Sequence, residues 1–348
     1  MTTSTAERPP RRPLRVAALC LALLTGACAP TLQPMGPRTT SPTVTEQAFR
    51  AADGTLLPLK RWLPDGRPEA VILALHGFND YSNAFDAAGR YWARHGVATY
   101  AYDQRGFGQA ARRGIWPGTE TMVADLLDAA TAVKALHPDT PLYLLGESMG
   151  GAVVMAAFAG RDLPPGVDGA ILSAPAVWSR DTMPFYQRWA LFAAGWTVPW
   201  MELKPPRNLN IRPSDNIEML RALGRDPLII KATRVDAVRG LTDLMDRAMD
   251  GADDFGVPSL VLYGVNEQVI PKVPRETAMA RFPVPSSPEA GPRLALYDDG
   301  WHMLLRDLQA EVVWRDVLAW IGNRAAPLPS GADAHMAVAE LRNGGGAE

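Results

Sequence analysis

Gly146-Glu147-Ser148-Met149-Gly150 sets a hydroxyl between two glycines, after the apolar run Leu142 to Leu145 and before a longer one, GAVVMAAFAG. Strand, G-x-S-x-G turn and helix in that order form a nucleophile elbow. The glycines let strand and helix approach, and the sharp turn lifts the Ser148 hydroxyl above the sheet. Such a hydroxyl needs a base to take its proton. Of the five histidines, His95 and His137 lie at helix ends before Gly96 and Pro138, His335 falls in the C-terminal tail, and His76 ends an early strand. His302, in DDGWHMLL after the run LALY, is left. Its late position suits the chain order nucleophile, acid, base that accompanies this elbow.

A carboxylate must orient His302 and stabilise the imidazolium formed during acyl transfer. Glu267 follows the penultimate strand-like run, in Tyr263-Gly264-Val265-Asn266-Glu267, and is the candidate; Asp181, Asp298 and Asp299 are its rivals. The developing oxyanion needs two backbone donors. Met149, next after the nucleophile, supplies one, and Phe78 in His76-Gly77-Phe78-Asn79 is placed for the other. No Walker-type phosphate loop and no Cys and His cluster at metal-ligand spacing occurs, so neither a cofactor nor a metal is implied.

These residues must be held by a sheet. Val71 to Leu75, Ala98 to Tyr102, Leu142 to Leu145, Ala170 to Leu172, Leu260 to Tyr263 and Leu294 to Tyr297 are nearly continuous apolar runs, as strands buried on both faces require. Amphipathic stretches at 84–95, 120–136, 149–159 and 308–321 alternate with them. The pattern predicts an α/β fold with a mostly parallel central sheet, helices on both faces, and an antiparallel start from Gln47 to Trp62 that turns at Asp53-Gly54. The alternation breaks at about 178–251, a stretch carrying Phe185, Tyr186, Trp189, Phe192, Trp196 and Trp200. It reads as a helical lid whose aromatic residues wall an apolar pocket.

Arg8, Arg11, Arg12 and Arg15 precede the short apolar run Val16 to Leu24, the layout of an export signal and too short to span a bilayer. Leu24-Thr25-Gly26-Ala27-Cys28 resembles the lipobox of bacterial lipoproteins, which makes Cys28 the candidate for lipidation; the customary Leu is Thr25 here. The other cysteine, Cys20, lies in the signal, so the processed chain holds one thiol and no internal disulfide. The organisation predicted is a signal peptide over 1–27, a Pro- and Thr-rich tether over 28–45, a catalytic domain over 46–323 with the lid at about 178–251, and a flexible tail over 324–348. The whole chain has 35 Lys and Arg against 37 Asp and Glu. Without the four arginines and Glu7 at the start it has 31 against 36, a net charge of −5. An acidic body without a basic run excludes nucleic acid as a partner.

HGFNDYSNAF, YDQRGFGQA, GESMGG, LYGVNEQVIPK and DGWHMLLRD together resemble the monoacylglycerol lipase and lysophospholipase branch of the α/β-hydrolases, also described as serine aminopeptidase-like. The resemblance implies the α/β-hydrolase fold, catalytic roles for Ser148, Glu267 and His302, oxyanion donors at Phe78 and Met149, and a lid that forms a greasy tunnel for one acyl chain. Glu267 stands where that family usually has Asp, and Glu147 where many members have His. Asp103-Gln104-Arg105-Gly106 resembles a family loop in which an Arg and Asp pair braces the sheet edge. The expected activity is hydrolysis of a single-chain lipid ester through an acyl-enzyme, in an exported protein held to a membrane by its lipidated N-terminus and facing the periplasm or cell exterior. A peptidase or acyltransferase with the same triad, and a tethered binding protein without chemistry, are the alternatives.

Overall fold

The structure is a computed structural model that describes residues 29–159, 166–204, 210–287 and 289–334. The signal segment, Cys28, His335 and the last part of the tail lie outside the described residues.

Among the described residues the strands are β1 Thr43–Val44, β2 Ala48–Arg50, β3 Leu56–Trp62, β4 Ala70–Leu75, β5 Val97–Tyr102, β6 Leu142–Glu147, β7 Gly169–Ser173, β8 Glu202–Leu203, β9 Thr233–Arg234, β10 Ser259–Gly264 and β11 Pro292–Tyr297. One sheet runs in the order β1-β2-β3-β5-β4-β6-β7-β10-β11, and β8 with β9 forms a separate ribbon. β1, β2 and β3 pair antiparallel, β3 joins β5 antiparallel, and every pair from β5 to β11 is parallel.

β4 shows why the strand sequences are apolar without alternation. Val71, Leu73 and Leu75 enter a core layer with Leu126, Val153 and Leu244, while Ile72 and Ala74 enter a second layer with Trp92, Val317 and Trp320. Both faces are covered, so neither tolerates a polar side chain. The helices are α1 Asp86–Arg94, α2 Thr119–Leu136, α3 Met149–Phe158, α4 Phe185–Thr197, α5 Ile217–Arg225, α6 Val235–Asp250, α7 Lys272–Arg281 and α8 Ala310–Gly322. α3 follows the elbow and is buried along its whole length. No described helix is long and apolar enough to cross a membrane.

Three expectations need correction. The segment read as a tether is packed in its described part. Gln33 N–H donates to Trp116 O at 3.0 Å, Met35 N–H to Thr121 Oγ1 at 3.0 Å, and Arg38 pairs with Asp128 at 2.7 Å. Pro and Thr richness resists regular structure but not docking through backbone donors. The tail is packed as far as residue 334: Leu328 and Ala332 are buried, and Arg293 donates to Ala326 O at 2.6 Å. Finally, the stretch at 178–251 is not all lid, because α6 buries Leu244, Met245 and Ala248 in the same core layer as α3.

Arg105 does brace the sheet, though not through Asp103. Its guanidinium pairs with Asp125 at 2.6 Å and with Asp53 at 2.9 Å, all three side chains being buried, while Asp103 accepts from the amides of Ser82 and Gln109. The fork thereby ties the β2–β3 turn to α2.

Candidate active site

The elbow between β6 and α3 holds Ser148 at φ 52° and ψ −112°, a conformation that side chains other than glycine rarely adopt. Backbone bonds pin it: Ser148 N–H donates to Ser173 O at 2.9 Å, and Ser148 O accepts from Ala152 at 3.1 Å and Ala176 at 3.0 Å. A Cβ on Gly146 would collide with the backbone of Gly150, and one on Gly150 with the carbonyl of Leu75. Both glycines are therefore required by the turn itself.

The loop after β4 lies against Ser148, since a Cβ on Gly77 would sit 3.4 Å from Ser148 Cβ. His76 fixes this loop. It is fully buried, its Nδ1–H donates to Gly77 O at 2.8 Å, and its Nε2 accepts from Gln104 N–H at 3.0 Å. Burial lowers its pKa, so the ring is a neutral brace. Phe78 borders the same cavity as Ser148, and Met149 heads α3, where the first amides have no partner within the helix. The two candidate oxyanion donors, Phe78 and Met149, thus lie near Ser148.

His302 and Glu267 come together from loops 35 residues apart, with His302 Nδ1 2.7 Å from Glu267 Oε2. Glu267 Oε1 accepts from the amides of Val269 at 2.6 Å and Ile270 at 3.0 Å. Burial would raise the Glu267 pKa, but His302 and the two amides outweigh it and hold the carboxyl below its ordinary value. On His302 burial acts to lower the pKa, and the carboxylates of Glu267 and Glu147 more than offset that, so the net shift is upward. The rival acids stand apart: Asp181 is exposed, and Asp298 and Asp299 are exposed on a different cavity. His95 and His137 face Tyr91 and Tyr100, away from the elbow.

Asp307 supports the histidine loop by accepting from Trp301 N–H at 2.8 Å and from Ser214 Oγ at 2.6 Å. Burial pushes its pKa up to about 6 despite these bonds.

Ser148 and His302 share a cavity of about 330 Å³ walled by Phe78, Trp178, Leu241, Met245, Ile270 and Met303 among others. The aromatic stripe of α4 is not its wall. Phe185, Tyr186, Trp189, Phe192 and Trp196 are 51 to 75% exposed, and none borders this cavity. Amphipathic spacing shows that a helix has an apolar face but not what covers it. The pocket lining comes instead from α6 and the catalytic loops.

Asp80, Glu147 and Arg306 also line the cavity, and their importance was not read from the sequence. Each lies within a few residues of a candidate site residue, in HGFND, GESMGG or HMLLRD, but nothing in those segments joins the three charges to one another. Arg306 pairs with Asp80 at 2.8 Å and with Glu147 at 2.7 Å. Among the described residues no three His, Cys, Asp or Glu side chains converge as metal ligands.

Residues 66–309 match the family described as serine aminopeptidase, S33. The monoglyceride lipase of Rattus norvegicus is 26% identical over 79% of this chain and 89% of its own length. The monoacylglycerol lipase of Mycolicibacterium smegmatis is 25% identical over 81% and 98%. Phospholipase YtpA of Bacillus subtilis is 28% identical over 61% and 80%. In fold, the chain is similar to a monoglyceride lipase from Saccharomyces cerevisiae solved with a substrate analogue, with a TM-score of 0.65, 19% identity and coverage of 84% of this chain and 99% of that one.

Proposed function

Because the chain belongs to the serine aminopeptidase, S33 family of α/β-hydrolases, we propose that it hydrolyses the carboxylic ester of a monoacylglycerol through an acyl-enzyme on Ser148. The observation that carries this reading is the largely apolar cavity that Ser148 shares with His302, whose Nδ1 is hydrogen-bonded to Glu267 behind it. With Nδ1–H donated to Glu267, the imidazole presents Nε2 as the acceptor for the Ser148 proton. Ser148 Oγ attacks the ester carbonyl, and the amides of Phe78 and Met149 receive the oxyanion. Collapse breaks the bond to the glycerol oxygen, which takes the proton from His302. Water, deprotonated by the same imidazole, attacks the acyl carbonyl; the bond to Ser148 Oγ breaks, the oxygen takes back the proton from His302, and the fatty acid leaves.

The apolar walls of the cavity suit one acyl chain. Asp80, Glu147 and Arg306 sum to one negative charge at its polar side, which favours a neutral glycerol over an anionic phosphodiester head group. The bacterial relative named as a phospholipase keeps lysophospholipid as the second substrate to compare.

Export and anchoring through Cys28 belong to the same reading, supported by Arg8 to Cys28 and by the exposed aromatic face of α4, an apolar patch of the kind that meets lipid.

The test is release of fatty acid from monoacylglycerol, lysophosphatidylcholine and an acyl amide of equal chain length, with fluorophosphonate labelling of Ser148. Monoacylglycerol should turn over fastest. A chain that labels with nothing and cleaves nothing would be a binding protein, and acyl transfer to added alcohol in preference to water would make it an acyltransferase.

A further inference from the structure

Arg306 stands at the meeting point of three loops. Its two terminal nitrogens reach Asp80, two residues after the candidate oxyanion donor Phe78, and Glu147, the residue before the nucleophile. It lies itself four residues after His302 on the histidine loop. Its side chain is 9% exposed, against 8% for Asp80 and 2% for Glu147, so the contacts are shielded from water and not readily exchanged for it.

We propose that Arg306 is a positioning residue: its guanidinium locks the oxyanion loop, the nucleophile elbow and the histidine loop into one geometry. Each ion pair joins residues far apart in sequence, and neither is needed to complete a strand or helix. A planar fork with separate donors can hold two carboxylates at fixed angles, which a single ammonium cannot.

The cluster also acts on the base. The charges facing His302 are Glu267 from the loop after β10, Glu147 from the end of β6, Asp80 from the loop after β4, and Arg306 and Asp307 on its own loop. Glu147 favours the imidazolium and Arg306 opposes it. Replacing either should therefore move the acid limb of catalysis, and in opposite directions.

This inference rests on Ser148 and His302 being the nucleophile and base. The experiment compares wild type, Arg306→Lys, Arg306→Gln and Glu147→Gln in the full chain by kcat and KM on p-nitrophenyl butyrate, by fluorophosphonate labelling of Ser148 across the pH range, and by thermal melting. For Arg306→Gln, kcat should fall on the order of 100-fold with KM little changed, as misplacement by about 1 Å would produce. Its acid limb should move to higher pH, and that of Glu147→Gln to lower pH. Arg306→Lys should keep the limb near its wild-type position and lose less. Should Arg306→Gln fail to fold, a kcat loss in Arg306→Lys with unchanged KM and the downward limb shift in Glu147→Gln still support the lock. Wild-type kcat and limb in both Arg306→Lys and Glu147→Gln, whatever the melting temperatures, would overturn it. A wild-type chain that neither labels nor hydrolyses would instead overturn the catalytic reading, and the lock with it.

Discussion

Glu267 grips His302 with one carboxylate oxygen and its own loop with the other: Oε2 lies 2.7 Å from His302 Nδ1, and Oε1 takes the amide protons of Val269 and Ile270. Glu is one methylene longer than Asp, and a longer side chain loses more rotamer freedom when fixed. The two amides hold that extra length in place. A Glu can therefore serve where a shorter acid would otherwise be needed, and the carboxylate's position is set by backbone geometry.

Glu267→Gln should keep the fold and lose on the order of 100-fold to 10,000-fold in kcat, because an amide can donate to Nδ1 and stabilise the wrong imidazole tautomer. Steady-state kinetics on a p-nitrophenyl ester would show it. Asp298→Asn and Asp299→Asn, exposed on another cavity, should stay within about threefold of wild type, as surface changes do. A larger loss in Asp299→Asn than in Glu267→Gln would reassign the acid.

The pH profile follows from the same pair. His302 must be neutral to accept a proton, and its pKa is raised above the ordinary 6.5, so kcat/KM should reach half its plateau above pH 6.5. Stability runs the other way. A raised histidine pKa contributes stability that is fully present below 6.5 and is lost as pH rises through the folded value. Glu267, whose pKa is lowered from 4.5, contributes above that value and loses its contribution as pH falls. Denaturation of wild type and His302→Gln at a series of pH values should show their difference shrinking as pH rises above 6.5. A half-plateau below pH 6.5 would mean that the carboxylates of Glu267 and Glu147 do not outweigh burial at His302.

Ser148 is expected to be a liability to the fold as well as the centre of the chemistry. Its φ of 52° with ψ −112° costs on the order of 1–3 kcal/mol for a residue with a side chain. Ser148→Gly should therefore raise the urea midpoint by the equivalent of about 1 kcal/mol, while Ser148→Ala should not. Both should lose at least ~1,000-fold in turnover. Equal midpoints for the two variants would show that the elbow stores no strain.

The sheet was legible because burial on both faces leaves few polar positions, so runs such as Val71 to Leu75 and Leu260 to Tyr263 stand out from their surroundings. The elbow was legible because Gly146 and Gly150 are forced by contact and not by preference. Asp80 and Arg306 were not, because their partners lie far along the chain and only the fold brings three loops to one guanidinium. The aromatic stripe at Phe185 to Trp196 misled for a related reason. Helical periodicity is the same whether a face meets a pocket, the core or a lipid surface.

That stripe carries the last prediction. Phe185, Trp189, Phe192 and Trp196 lie on α4 with most or half of their surface open, and together they form an apolar patch on the lid. Burial of each at a lipid surface would contribute up to about 1.5–3 kcal/mol, so losing three should weaken vesicle binding far more than tenfold. The triple change Trp189→Ser, Phe192→Ser and Trp196→Ser should leave turnover of a soluble short-chain ester near wild type, because none of these residues borders the Ser148 cavity. Hydrolysis of monoacylglycerol presented in phosphatidylcholine vesicles should fall at least ~10-fold. Co-sedimentation with those vesicles separates docking from catalysis. If the variant sediments and hydrolyses as wild type does, the aromatic face of α4 does not meet lipid, and the path of the substrate into the cavity lies elsewhere on the molecule.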